Sequence, residues 1–204
     1  MTRIPHEVAL PPPLKKSAVS LEETVLKRRS VRSYKDQPIS LQELSQLVWA
    51  AQGITSPDGL RAAPSAGALY PLEVFVIVGT GTVGGLEAGV FHYKVKSHSL
   101  TLHLEGDLRA KLAAAALDQS SVASAPIDIA ICAVFERTAR KYDARAERYV
   151  HMETGHAGQN VCLQATAQGL GAVTIGAFHD DDVASLMELP PATKPLYIIP
   201  VGRL

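Results

Sequence analysis

Three short stretches carry residue types suited to holding a flat, phosphorylated ligand, and a fourth could move a proton. Arg28, Arg29, Ser30 and Arg32 (RRSVRSY) set three guanidiniums and a hydroxyl where a capped helix should end. A guanidinium grips phosphate through paired, charge-assisted hydrogen bonds that lysine cannot reproduce. The same residues also suit a solvated helix C-terminus favoured by the helix dipole. Residues 61–71 (RAAPSAGALYP) are mostly small and bracketed by prolines just ahead of an apolar segment. Small side chains let a ring approach the backbone, although an ordinary loop has the same composition. Residues 169–178 (GLGAVTIGAF) form a helix stop, a short strand and a tight bend. They are not a GxGxxG phosphate loop, so a Rossmann reading fails. Lys141 and Tyr142 open the fourth stretch, KYDARAERY. A lysine whose charged form is disfavoured by burial can serve as a general base, and the pair could equally begin a helix with solvated charges.

Elements at recognisable spacing must position these residues. Ser20 followed by Glu23, and Ser40 followed by Glu43, each fit a capping box, predicting helices over 21–29 and 41–52. Leu41, Leu44, Leu47, Val48 and Ala51 give the second helix one apolar stripe that ends at Gly53. LEVFVIV (72–78) and IDIAICAVF (127–135) are short and apolar on both faces, as central strands covered on each side should be. Segments 90–95 and 100–104 flank a polar turn and predict a hairpin with His92 and His103 as cross-strand neighbours. No third ligand stands at zinc-like spacing, and His151 and His156 turn to different helix faces, so no metal site is expected. Asp107 is expected to cap a helix running to about 117, and Asp180, Asp181 and Asp182 to cap another over 183–189. A long helical region over 144–168 contains Gly155 and Gly158, which suggest close packing against another backbone. The last strand, 196–201, carries Pro200 and is expected at a sheet edge or in an arm reaching another subunit. Helices and strands mixed without regular βαβ alternation indicate an α+β layered sandwich.

At 204 residues and 47% hydrophobic, the chain can bury one substantial core. Twenty basic and twenty acidic residues cancel, so no overall field draws it to nucleic acid or an anionic membrane, and a small molecule is the expected partner. No run approaches the roughly 20 apolar residues of a membrane span, and the start lacks an apolar signal core, which reads as cytoplasmic. Two cysteines are poor material for a disulfide framework and are expected as core residues. Residues 1–18 contain four prolines and predict an extended arm, mobile or draped over a neighbouring subunit, ahead of one domain over 19–204.

Taken together, RRSVRSY, PSAGALYP and GHAGQNVCLQATAQGLGAVTIGAF resemble the nitroreductase-like flavoenzyme superfamily over nearly the whole chain from Val19. The similarity is greater to its branch of azoline-oxidising dehydrogenases from thiazole and oxazole peptide biosynthesis, whose KYxxRxxRY segment the fourth stretch matches. The resemblance implies a layered α/β/α sandwich with a mainly antiparallel central sheet, working as a homodimer with flavin mononucleotide (FMN) at the subunit interface. It implies a phosphate held by Arg28, Arg29, Ser30, Arg32 and Arg203 of the same or the neighbouring chain. The ring would contact Pro64, Ser65, Ala66 and Gly67 from one subunit and Ile175, Gly176 and Ala177 from the other. Lys141 and Tyr142 would handle protons. Peptide-modifying members carry extra N-terminal sequence, whereas here only a proline-rich arm precedes the domain. The expected activity is therefore ping-pong reduction of small electrophiles such as nitroaromatics and quinones by NAD(P)H. Dehydrogenation of an azoline or amino-acid-like substrate, and non-catalytic flavin binding, are the alternatives.

Overall fold

In the computed structural model, residues 7–204 are described. The strands are β1 (Glu7–Ala9), β2 (Leu72–Val78), β3 (Gly89–Lys94), β4 (Ser99–Glu105), β5 (Ile127–Val134), β6 (Leu170–Ala172) and β7 (Thr193–Arg203). They form one seven-stranded sheet in the order β1-β4-β3-β2-β5-β7-β6, every neighbouring pair antiparallel. The helices are α1 (Leu21–Lys27), α2 (Leu41–Gln52), α3 (Arg109–Ala115), α4 (Ser120–Ser124), α5 (Phe135–Tyr142), α6 (Ala146–Ala167) and α7 (Asp180–Leu186).

Alternation along the two central strands divides the interior into two layers. Leu72, Val74 and Val76 of β2 and Ile127, Ile129 and Ile131 of β5 face one core, closed by α2 and α6. Phe75 and Ile77 with Ala130 and Cys132 face the other, closed by α3, α4 and α7. The result is the expected α/β/α sandwich. Among the described residues no helix is long and apolar enough to cross a membrane.

Several boundaries differ from the sequence reading for definable reasons. Sheet pairing begins at Glu7 rather than after Val19: β1 pairs with β4, and the following segment is tied to its own chain's α2 by Leu14 N–H to Gln46 (2.7 Å) and Ser45 to the Pro11 carbonyl (2.6 Å). Of the proposed arm, residues 1–6 lie outside the described residues. A bulge at Val90–Phe91 sets His92 opposite Thr101 rather than His103, and both imidazoles instead pack against Phe75. Asp107 does not cap α3, whose cap position is Leu108; it forms an ion pair with Arg109. The three aspartates at 180–182 are the first turn of α7, where the positive dipole end favours them, and His179 is the cap residue. β7 is an inner strand, not an edge. Ile198 directs its amide to Ile175, so Pro200, two residues on, aims its missing donor at the gap before the β6 ladder begins at Val201.

Asp128 is the outlier of the core. It lies in mid β5, wholly buried, and neither carboxylate oxygen has a partner. Burial pushes its carboxyl well above the ordinary range, against a weaker pull from Arg109. A raised folded-state pKa means the folded chain holds this proton more tightly than the unfolded chain does. Its contribution is therefore complete below about pH 4, the unfolded value, and is lost as pH rises toward the folded value. Asp128→Asn should raise stability at alkaline pH by on the order of 1–3 kcal/mol and flatten the loss of melting temperature with rising pH. Thermal melts across that range check it, and an unchanged slope would show that Asp128 is not the responsible group.

Candidate functional site

The loop before β2 is shaped by two prolines and a short 3-10 turn at Ala66–Ala68. Gly67 has φ 63°, a left-handed conformation glycine adopts without strain. It also has a packing reason: a Cβ there would lie 2.9 Å from the Tyr142 hydroxyl and 3.1 Å from Lys141 Nζ. The second and fourth stretches thus meet. Lys141 and Tyr142 are the last residues of α5, which leaves the end of β5 directly beside the start of β2, where Leu72 pairs with Ala133. Arg137 reinforces the junction by donating to the Tyr70 carbonyl (3.1 Å) and pairing with Glu73. The lysine is exposed in the single chain, so only a ligand or a second chain can supply the burial that a general base needs.

The first and third stretches meet at the other end of the molecule. Val31 donates to the Ala172 carbonyl (3.0 Å), and a Cβ on Gly171 would strike Val31 at 2.7 Å. The arginines here have different duties. Arg29 turns its guanidinium back onto the carbonyls of Leu26 (3.0 Å) and Arg28 (2.8 Å), finishing α1 two residues earlier than its pattern predicts. Arg203 makes a two-pronged bond to Glu43 at 2.7 and 2.8 Å. Glu43 at the same time completes the capping box of α2 with Ser40. Burial alone would raise the Glu43 carboxyl, but the Ser40 and Arg203 bonds outweigh it and hold it low. Arg28 and Arg32 make no ion pair among the described residues, and Ser30 and Arg32 are exposed. Ile175 bridges to Ile198 and its side chain is core, leaving only its backbone, with exposed Gly176 and Ala177, able to meet a ring.

These two halves do not face one another within one chain. Ser65 lies against Glu153 near the start of α6, while Val31 lies against Gly171 beyond its end. Between Glu153 and Ala167 runs roughly 21 Å of helix, at about 1.5 Å per residue. A phosphate at Arg28 and Arg32 and a ring at Ser65 and Gly67 must therefore come from different copies if one mononucleotide touches both. The donor set suits such a group: two free guanidiniums and a hydroxyl at one end, and an open glycine turn bordered by a lysine and a tyrosine at the other.

Sequence reasoning missed the polar groups behind the loop. Arg61 stacks 4.3 Å over the Tyr70 ring and bonds Gln52 (2.8 Å). Glu73 joins Arg137 to His92 (2.6 Å), and Lys94 reaches His92 in turn (2.7 Å). Glu153 is 3% exposed, and its Oε1 has no partner. Its position on the stripe of Val150, Ala157 and Val161 was the available signal, a carboxylate where helical period calls for an apolar residue.

Fold and site together define a flavin-dependent oxidoreductase. Residues 25–203 match the Nitroreductase family, and the chain belongs to it. It is 46% identical over 185 residues, 91% of each chain, to a Methanocaldococcus jannaschii protein bearing a nitroreductase name. It is 30% identical over 162 residues to the Escherichia coli microcin B17-processing protein, covering 76% of this chain and 58% of that longer one. A nitroreductase crystal structure from Ralstonia eutropha superposes with a TM-score of 0.84 at 28% identity, covering 97% of this chain and 89% of that one.

Proposed function

We propose that the chain forms a homodimer binding two FMN molecules across its interface and passes electrons from NAD(P)H to small electrophiles such as nitroaromatics and quinones. The observation that carries this reading is the division of the candidate cradle between opposite ends of one chain. Uncovered apolar surface supports a second copy. Leu21, Val25 and Leu26 of α1 are 57–71% exposed, and Met152 of α6 is 53% exposed. One turn past Met152, Gly155 has nothing within 4 Å of where a Cβ would stand, so another backbone can approach there. The inner glycine, Gly158, is instead filled by Tyr197 and Ile199 of its own chain.

Bound flavin supplies the two-electron chemistry. This chain anchors the phosphate through Arg28, Ser30 and Arg32, shapes the ring pocket with the loops at 64–67 and 175–177, and keeps Lys141 and Tyr142 beside it. Two-electron reduction of an acceptor takes a hydride and a proton, and Lys141 or Tyr142 can provide the proton. One face of the ring serves donor and acceptor in turn, which gives ping-pong kinetics. The placement of Lys141 and Tyr142 over Gly67, with the microcin B17-processing relative, favours a second reading: dehydrogenation of an azoline or amino-acid-like substrate, the same pair removing the proton.

The purified protein should be yellow, or become so with added FMN, and should bleach under NADH or NADPH without oxygen. A protein that stays colourless with FMN ends both readings. One that binds FMN but is reduced by neither nucleotide leaves the dehydrogenase reading, tested by reduction with substrate.

A further inference from the structure

We propose that Glu153 is a positioning residue for the ring-facing loop, setting whether the Ser65 hydroxyl donates back into the protein or outward to bound flavin. The inference rests on the flavin site proposed above and assigns a task to a group that reading leaves unused.

Ser65 and Glu153 are constrained on each side. The Ser65 Oγ accepts the Tyr70 N–H (2.9 Å), which leaves it one lone pair and one proton to place. Glu153 is on the buried face of α6, and an unpaired buried carboxylate oxygen is costly unless the group is neutral or finds a donor. An ionised carboxylate can only accept, so it takes the Ser65 proton. A protonated carboxyl can donate to the remaining Ser65 lone pair, which frees the Ser65 O–H to turn toward the loop surface. There Gly67 faces Lys141 and Tyr142.

The balance between the two states sits near neutrality. Burial pushes the Glu153 carboxyl up to about 7, against the Ser65 hydroxyl and the Arg61 guanidinium, which pull it down. Arg61 comes from the loop ahead of the 3-10 turn and is held by Gln52 of α2; Glu73 of β2 and Arg137 of α5 act on Arg61 in turn. On the helix itself Tyr149, one turn earlier, packs edge-on against Tyr142 at 5.0 Å. Below the Glu153 pKa the hydroxyl is free for the ligand; above it the carboxylate claims it.

The dissociation constant for FMN, read by flavin fluorescence on the apoprotein at about pH 5.5 and about pH 8.5, tests this without turnover. Wild type should bind roughly fivefold tighter at the lower pH, the worth of one neutral hydrogen bond, after correction for the titration of the FMN phosphate, which all variants share. Glu153→Gln, whose amide can donate to Ser65, should hold the tighter value at both pH values. Ser65→Ala, a loop change that does not disturb the core, should hold the weaker value at both. A wild-type profile superimposable on either variant overturns the role of Glu153 while leaving the flavin site standing. Absence of FMN binding at both pH values in all three proteins sinks the site and this inference together.

Discussion

Replacing Arg28 and Arg32 together with alanine should weaken FMN binding by about a hundredfold or more and leave riboflavin binding within a factor of about three. Each guanidinium lacks an acidic partner among the described residues, and between them Ser30 bridges to Ala172, fixing the backbone they project from. A charged hydrogen bond is worth about 1.5–3 kcal/mol, so two lost together give the stated range. Riboflavin has no phosphate and is indifferent to the change. Arg29→Ala should behave differently although it belongs to the same motif. Its guanidinium already bonds the Leu26 and Arg28 carbonyls, so its loss should lower melting temperature rather than affinity. Titration of the three proteins with both flavins checks the assignment, and equal loss of riboflavin and FMN in the double variant would contradict it.

Lys141→Ala should reduce dehydrogenation of an azoline-type substrate by about 10²–10⁴-fold, the usual worth of a positioned acid or base, with FMN still bound. The same variant should lower NAD(P)H–quinone turnover by less than about tenfold, because a quinone's reduced form takes its proton readily from water. Tyr142→Phe separates the partners, since it removes the hydroxyl near Gly67 but keeps the ring that packs on Tyr149. Full dehydrogenation by the lysine variant would exclude Lys141 as the base. Loss of both activities with FMN retained would assign the lysine to ring positioning instead.

Much of the framework was legible because local and global preferences agree. Ser40 and Glu43 announce α2 by chemistry that depends on three residues only, and LEVFVIV and IDIAICAV have one use in a layered protein. The failures share a cause: they lie where a distant residue decides. FERTARKY is polar and follows a strand without a break, so α5 shows no start signal, yet it is the element that brings Lys141 and Tyr142 to Gly67. Pro200 reads as an edge residue because nothing nearby reveals that its strand is doubly flanked with a gap at that position. Arg203 resembles a phosphate ligand, and the carboxylate that holds it is 160 positions earlier. Glu153 stands in an otherwise regular stripe, and its significance appears only when Ser65 and Arg61 arrive from the loop before β2.

The placement of β7 bears on how this protein can be made. Its ladder with β5 joins Ile127 to Val201 and Val134 to Thr193, and β6 has no other strand to pair with. While the ribosome tunnel still holds the final dozen or so residues, the nascent sheet lacks an interior member and the apolar faces of β5 stay half covered. Closure must then wait for release of the finished polypeptide, a non-local step of the slow, aggregation-exposed kind. A fusion appended behind Leu204 burdens that last docking event, so expression tags belong at the other terminus.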